Sequence, residues 1–531
     1  MVSRRTLVIA APLVVAALVI VNAWSGLMPG VGFWDTGEFQ TVLPLLGTAH
    51  PTGYPTYVVV GFVANLLLTP IGEPAFRITV LSLLAVASAA GVTVLLVRRL
   101  TGSTPIGVAT GLGLALTQVV WVNATRADPH ALHLAFVAIL LWALVRWADA
   151  RRGIEPGVDP GADLGAANRR LVLAAIVFGL AAGNHSLTLL LAPPIALFVL
   201  AVDPGIWRRW RLVLACLGAA FGTVALVYLE LPLRGGLIPA LTAPVVYAKP
   251  ATWDGFWYIA LAEQFRGSLG NPFADLPTKV GDLVELANAQ LGVLALAIPP
   301  AVVVTARRAP RYLLLTGTAF LITILFNEAY ANADIERYYL GPVLWVWTWL
   351  AVLAAEVAEL AGWLGAGLVA RIQRVRAEEQ LVDRAALGAS VIMAALLLLP
   401  SLGDLADRRA KANRSGDTSA QRWLDEALPA IPQNAVLVSW WSTSTPLWYA
   451  QRVQGVRPDI FIVDDRTMLD LGLGRAPDVI ERYLAEGRPV YVIRLAGRDT
   501  EELLARFAMT QVVSDGNTAV WAVQGVLAAA R

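Results

Sequence analysis

Charge is scarce in this sequence. Of its 531 residues only 15% are Asp, Glu, Lys or Arg, while 57% are hydrophobic and the mean hydropathy is +0.62. Soluble chains carry about 25% charged residues, so a soluble enzyme of this length is excluded and an integral membrane protein is expected. The charges nearly cancel, 41 Lys and Arg against 39 Asp and Glu, which excludes a nucleic-acid-binding surface as the main theme. Cysteine is almost absent: Cys216 stands alone in an apolar run, so there is no intramolecular disulfide and no cysteine-based metal cluster. Four histidines are too few for a His-rich metal centre, and no residue set reads as a metal site. A phosphate loop is missing too, because Leu471-Gly472-Leu473-Gly474 lacks the third glycine and a strand directly before it. Neither an internal repeat nor ionisable residues in mid-span are evident, which argues against a transporter or flippase.

Long apolar runs are what the sequence has in abundance. A bilayer core needs roughly 20 apolar residues per helix. Candidate spans fall near 6–24, 75–97, 104–122, 131–148, 171–184, 187–202, 211–229, 290–304, 311–327, 339–361 and 386–400. About eleven transmembrane helices are therefore expected, with 171–202 either a helical hairpin or one kinked span around Gly183-Asn184-His185. No small-x-small cleavage site precedes Trp24, so the first span is expected as an uncleaved anchor. The 18 tryptophans suit two membrane–water interfaces.

Six basic clusters orient the chain: Arg4/Arg5, Arg98/Arg99, Arg151/Arg152 with Arg169/Arg170, Arg208/Arg209/Arg211, Arg307/Arg308/Arg311 and Arg371/Arg374/Arg376. With eleven spans all six share one side, which the positive-inside rule makes cytoplasmic. The expectation is a multi-pass plasma-membrane protein with a cytoplasmic N-terminus and an extracytoplasmic C-terminus. The connections on the other side (25–74, 123–130, 230–289, 328–338 and everything after about 401) hold most of the paired acids, and function is sought there. Three domains follow: a membrane domain over 1–400, a linker over 401–417 and a soluble extracytoplasmic α/β domain over 418–531. In that domain, β-type runs at 435–439, 459–463 and 489–494 are separated by helix-like stretches such as 476–486 and 500–507, predicting a mostly parallel sheet.

The first outer connection is the most informative. It reads Gly32-Phe33-Trp34-Asp35-Thr36-Gly37-Glu38-Phe39-Gln40, then Ala49-His50-Pro51-Thr52-Gly53-Tyr54-Pro55. Asp35 and Glu38, three apart, share one face of a helix. The same Asp-x-x-Glu spacing is also a helix start signal, with Asp35 as cap and Glu38 as its capping-box partner. Residues 36–47 and 53–70 are too short to span and are expected as interfacial helices along the outer surface.

These motifs resemble those of a bacterial family of multi-pass membrane proteins related to the animal plexin-type protein O-mannosyltransferases. The resemblance continues at Gly72-Glu73-Pro74-Ala75-Phe76-Arg77, Tyr228 to Arg234, Glu263-Gln264-Phe265-Arg266, Glu336-Arg337-Tyr338-Tyr339 and Val456-Arg457-Pro458-Asp459, so it runs along nearly the whole chain in order. More distantly, the anchor, acidic outer loop, surface helices and Arg-ended second span look like the C-type glycosyltransferase fold, shared by protein mannosyltransferases and lipid A aminoarabinose transferases. The fold class so implied is a mainly α polytopic membrane protein with a small C-terminal α/β domain.

The resemblance also implies roles. An acid of the first outer loop is the catalytic base or orients the acceptor, which here makes Asp35 and Glu38 the catalytic candidates. The implied donor is a polyprenyl-phosphate sugar, whose phosphate is met by basic residues: Arg337, Arg234, Arg266 and Arg126. His50 and Tyr54 lie inside the motif and are candidates to touch substrate. The acceptor is a protein or a glycolipid, and no metal is assigned.

Further candidates carry more than one reading each. Asp128 is a supporting acid, a metal ligand or, more simply, the cap of the helix that begins at Pro129. His130 and His133 form a metal pair or one turn of an interface helix. His185 faces the donor lipid or satisfies a buried carbonyl. Tyr338, beside Arg337, binds substrate or anchors the interface, and Trp253 with Trp257 lines an acceptor groove or packs its loop. Trp440 and Trp441 stack on sugar or pack inside the tail. A membrane glycosyltransferase moving a hexose is the leading expectation; a non-catalytic scaffold and a lipid-linked-sugar transporter are the competing ones.

Overall fold

The computed structural model of the protein describes residues 4–153, 164–373, 379–493, 498–514 and 518–527. Arg374 and Arg376 of the last basic cluster, and Arg494 at the end of the third expected strand, lie outside them.

The apolar runs fold as helices: α1 (Arg4–Trp24), α2 (Trp34–Leu45), α3 (Pro55–Leu67), α4 (Pro74–Thr101), α5 (Thr104–Leu116), α6 (Gln118–Ala124), α7 (Pro129–Arg151), α8 (Leu164–Asn184), α9 (Ala192–Val202) and α10 (Trp210–Tyr228). Further helices cover Ile298–Arg308, Pro310–Ala329, Leu340–Gln373 and Glu379–Gly403. Among the described residues eight helical segments are long and apolar enough to cross a membrane, or nine with the bent pair α5–α6. Ala10–Trp24 and Ser186–Val202 are shorter apolar helices and account for the remaining two expected spans.

The 171–202 stretch is a hairpin. Arg209, at the start of α10, donates 2.9 Å to Asn168 near the start of α8 and pairs with Asp203 just past α9. Both distal ends therefore lie together, while His185 marks the turn at the other end. Arg151, at the end of α7, joins the same cluster through Asp203 at 3.0 Å, and Arg99 pairs with Asp149. These arginines sit at the helix ends farthest from Asp128 and His185, about 35 Å along a 23-residue helix such as α7.

The bundle core is aliphatic with tryptophans at its centre. Trp347 donates 2.9 Å to Thr117 and Trp349 donates 2.9 Å to Thr316, so neither indole N–H is left unpaired in an apolar interior. Close helix approach depends on small residues: a Cβ on Gly111 of α5 would lie 2.7 Å from the Ala90 carbonyl of α4.

The C-terminal part forms a five-stranded sheet from β1 (Val436–Val438), β2 (Phe461–Val463), β3 (Val490–Ile493), β4 (Phe507–Val513) and β5 (Val520–Val526), in the order β2-β1-β3-β5-β4. β1 pairs in parallel with β2 and β3, as expected. β5 pairs antiparallel with β3 and β4, so the sheet is mixed rather than mostly parallel. The last two strands form a hairpin that needs no helical crossover, which is why an alternating strand–helix pattern did not reveal it. Within 401–417 the chain forms a helix, Leu405–Ala412, whose buried Arg408 donates to the carbonyls of Leu116 and Gln290 at 3.1 and 3.0 Å.

One expectation about the first connection changes. Helix α3 does present an apolar face outward, through Val59, Val63, Leu66 and Leu67. Helix α2 does not lie on a surface: Gly37 through Leu43 are all buried. The α/β domain covers it, with the helix Trp441–Trp448 laid across it, so its apolar residues are covered on both sides. Gly37 is needed there, because any Cβ would collide with the Gly32 carbonyl and approach Thr445 Oγ1 to 2.8 Å.

Candidate active site

The site starts from the entry to α2. Gln40 accepts from Gly32 N–H at 2.8 Å and donates to the carbonyls of Gly30 and Ala75 at 3.0 and 3.3 Å. This clamp fixes the turn from which Asp35 projects. The N-cap of α2 is Phe33, with no side-chain cap bond, so Asp35 is not a cap and Glu38 is not its capping-box partner. Both carboxylates are turned to other partners.

Asp35 accepts from Arg337 Nη2 at 2.8 Å. Arg337 also reaches Asp128 through Nη1 at 3.4 Å, and one guanidinium thus bridges two acids. Arg126 stands between Asp128 (3.5 Å) and Asp334 (3.4 Å). Asp128 is the cap of α7 and also faces the arginines. Its Oδ1 caps α7 by accepting from His130 N–H at 2.8 Å and pairs with the His130 ring at 2.8 Å, while its Oδ2 faces the arginines.

Glu38, only 1% exposed, accepts from His50 N–H at 2.9 Å and from the His50 ring. A buried carboxylate needs such a partner. The far nitrogen of His50 lies 3.3 Å from the Tyr54 hydroxyl. Tyr54 contacts His185, ring centroids 5.6 Å apart. His185 in turn stacks near His130 (4.4 Å) and Tyr338 (5.7 Å). His133 reaches Thr188 at 3.3 Å. Thus Asp35, Glu38, His50, Tyr54, Arg126, Asp128, His185, Arg337 and Tyr338 converge, and all four histidines of the chain lie within this cluster.

Burial by itself would raise the Asp35 carboxyl, but the His50 and Arg337 charges and the Arg337 hydrogen bond hold it below its ordinary value. Asp128 is likewise held well down: burial opposes ionisation, and His130, Arg337 and Arg126 overcome it. Burial works against a charged His50, yet the Glu38 contact wins and raises it above the usual imidazole range. Burial lifts the Tyr54 hydroxyl well above the phenol range. Asp35 and Asp128 are therefore carboxylates at neutral pH, each facing arginine.

The remaining expected residues lie at the margin. Arg234 donates to the carbonyls of Leu46 and Leu45 at 2.6 and 3.1 Å, closing the C-terminus of α2, where those carbonyls have no helical partner. Arg266 is exposed and follows Phe265, whose ring lies 6.3 Å from His50. Trp253 is 75% exposed and packs edge-on against Trp257. Trp441 does not pack inside the tail: its ring sits 5.5 Å from His50. His130, His133 and Trp441, which carried two readings each in the sequence, are brought to the site by the structure.

Several buried polar atoms here have no partner within the chain: Arg337 Nε, Arg126 Nε, His130 Nε2, His185 Nε2 and Trp441 Nε1. Buried polar atoms are normally paired, and these five lie in one shell around the converging residues. Among the described residues no group of three or more His, Cys, Asp or Glu is arranged to hold a metal ion.

A helical bundle whose first connection carries the acids, capped by a C-terminal α/β domain, is the fold of the C-type glycosyltransferases. The chain superposes on ArnT from Cupriavidus metallidurans, solved with bound undecaprenyl phosphate, with a TM-score of 0.60 over 97% of each chain at 16% identity. It also superposes on the Archaeoglobus fulgidus oligosaccharyltransferase tethered to an acceptor peptide, with a TM-score of 0.53 over 93% of this chain and 69% of that one at 14% identity. More particularly, residues 35–205 match the family described as the protein O-mannosyl-transferase TMEM260 N-terminal domain, a match that begins at Asp35 itself. The protein O-mannosyl-transferase TMEM260 of Mus musculus is 27% identical over 458 residues, 82% of this chain. This chain matches 59% of the length of that mouse relative. The resemblance read from the motifs is thereby borne out.

Proposed function

We propose that this protein is a membrane glycosyltransferase that moves a hexose, mannose by analogy with its mouse relative, from a polyprenyl-phosphate donor to a hydroxyl of a protein acceptor. The Arg337 bridge between Asp35 and Asp128 is the observation that carries this reading. Transfer needs a base for the acceptor hydroxyl and cations for the departing phosphate, and this bridge holds one of each in contact. The polyprenyl phosphate bound by ArnT and the peptide held by the oligosaccharyltransferase support the donor and acceptor classes.

In this scheme the donor phosphate enters against Arg337, with Arg126 and the exposed Arg266 nearby, since guanidinium makes bidentate contacts to phosphate. Phosphate competes with Asp35 for Arg337 and frees the carboxylate to act as base. The acceptor oxygen attacks the anomeric carbon while the bond to the phosphate oxygen breaks. The acceptor proton passes to Asp35, and the lipid leaves as a phosphate monoester held by the arginines. A single displacement inverts the anomeric centre.

The orientation belongs to the same proposal. The arginine-rich helix ends face the cytoplasm, and Asp35 with the α/β domain opens to the extracytoplasmic side of the plasma membrane. Mass spectrometry of lipid extracted from the purified protein tests the donor: a polyprenyl phosphate or its glycosylated form is expected. Bulk phospholipid alone would leave the scaffold reading standing. Reporter fusions at the C-terminus test the orientation.

A further inference from the structure

The α/β domain packs against the site, and one of its side chains meets His50. Helix Trp441–Trp448 crosses α2 on the face opposite the bundle, where Thr41 donates to the Thr445 carbonyl at 3.3 Å. Tyr449 accepts from Ala75 N–H at 3.1 Å, and Asp470 accepts from Ala248 N–H at 3.2 Å. Arg466 lies over the rings of Tyr247 and Tyr258 at 5.0 and 4.9 Å. These contacts set the carboxyl ends of β1 and β2 against the connection that carries His50.

Trp441 stands at that junction. Its backbone N–H donates to Asp465 at 2.8 Å, which fixes the start of its helix. Its ring meets the edge of His50 at 80° and packs with Leu231, Tyr247 and Ile259. Its indole Nε1 is buried and has no partner. Buried indoles usually find a partner for this donor, as Trp347 and Trp349 do in the bundle; Trp147 and Trp345 there do not, but they lie in the apolar core, whereas Trp441 stands against His50.

We propose that the Trp441 indole N–H donates a hydrogen bond to a hydroxyl of the substrate beside the Glu38–His50 pair, so that the C-terminal domain supplies a positioning residue to the active site. The inference rests on the glycosyl-transfer reading. The hydroxyl belongs either to the donor sugar or to the acceptor.

The test compares wild type with Trp441→Phe in the full-length purified protein, using mannosyl-phosphoryl-undecaprenol and a serine/threonine peptide. Phe keeps an aromatic ring and deletes the donor. Loss of one neutral hydrogen bond is expected to raise one KM about 3- to 10-fold with kcat little changed. A raised donor KM assigns the hydroxyl to the sugar, and a raised peptide KM assigns it to the acceptor. Should Trp441→Phe lower the Tm, benzothienylalanine at 441, which retains the bicyclic ring and exchanges N–H for sulfur, takes its place. An active wild type with both KM values unmoved by these replacements overturns the role of Trp441 alone. A wild type that transfers no lipid-linked sugar removes the glycosyl-transfer reading and this inference with it.

Discussion

Arg337 and Asp35 stand 302 positions apart in the chain and 2.8 Å apart in the structure. The contact joins the first connection to the turn that precedes the helix Leu340–Gln373. Because Asp35 is held below its ordinary value, the stabilisation from this pair is present at neutral pH and is lost only as pH falls through the depressed value. The proposed base is therefore ionised before substrate arrives.

Replacing Asp35 with Asn keeps shape and hydrogen-bonding capacity but removes the proton acceptor. General-base help is worth about 10²–10⁴-fold, so Asp35→Asn should retain its fold and lose turnover by that factor. Sugar transfer to peptide and a Tm measured together check this. Near-normal turnover would remove Asp35 from the role.

Arg337 should behave differently. Its side chain is 12% exposed and faces an Asp128 that is 2% exposed. Deleting it strips Asp35 of its partner and leaves Asp128 with only Arg126 and His130, a change that costs on the order of 1–3 kcal/mol. Arg337→Ala should therefore lower the Tm as well as activity. Arg337→Lys keeps the charge but cannot bridge two acids with a planar fork; it should recover much of the Tm while the KM for the lipid donor stays raised.

The sequence made some of this legible and hid the rest. Apolar runs read the spans well, because lipid forces every backbone group into a helix. Asp35, Glu38 and His50 stood out because charged residues are conspicuous in an apolar chain. Their pairing did not. Asp35-x-x-Glu38 has the spacing of a capping box, yet the cap is Phe33 and the carboxylates find partners 302 and 12 positions away. His130 and Trp441 were ambiguous because each also has a bland local role. The β4–β5 hairpin is signalled in the sequence only by Asp515-Gly516 between Val513 and Val520, a common hairpin dipeptide.

The His50–Glu38 pair gives stability an alkaline limb. His50 is raised above its ordinary value, so the ion pair contributes fully below about pH 6.5 and is lost as pH climbs through the raised value. The wild-type Tm should fall across that alkaline range. In His50→Gln the fall should be absent and the Tm at pH 6 lower than wild type. A parallel decline in both proteins would show that Glu38 is neutralised by another group.

Asp464 supplies the opposite sign. It caps the helix Asp465–Leu471 by accepting from Thr467 N–H at 2.7 Å, while its other oxygen is buried and unpaired. Burial pushes the carboxyl up to about 6. Stability is therefore highest where Asp464 is protonated and declines as pH rises from about 4 to 6. Asn caps equally well and carries no charge to bury. Asp464→Asn should stabilise the full chain at pH 7 by on the order of 2 kcal/mol, seen as a raised Tm that converges on wild type near pH 4.

Tyr449 tests how firmly the α/β domain is seated. Its hydroxyl accepts from Ala75 N–H at 3.1 Å and donates to Glu73 Oε2 at 3.3 Å. Ala75 lies in the first turn of α4, where backbone N–H groups have no helical partner, so this side chain caps a bundle helix from the other domain. Tyr449→Phe removes the hydroxyl and leaves a buried donor unmet, at about 1–3 kcal/mol. The loss falls on the contact between domains rather than on either core. Limited proteolysis should therefore cut faster within 413–418, the exposed stretch before the helix Ser419–Ala430, while Phe at 449 leaves the sheet itself protected. Unchanged cleavage would mean that the covering of α2 does not depend on this bond and is held by the apolar contacts around Phe33 and Trp423.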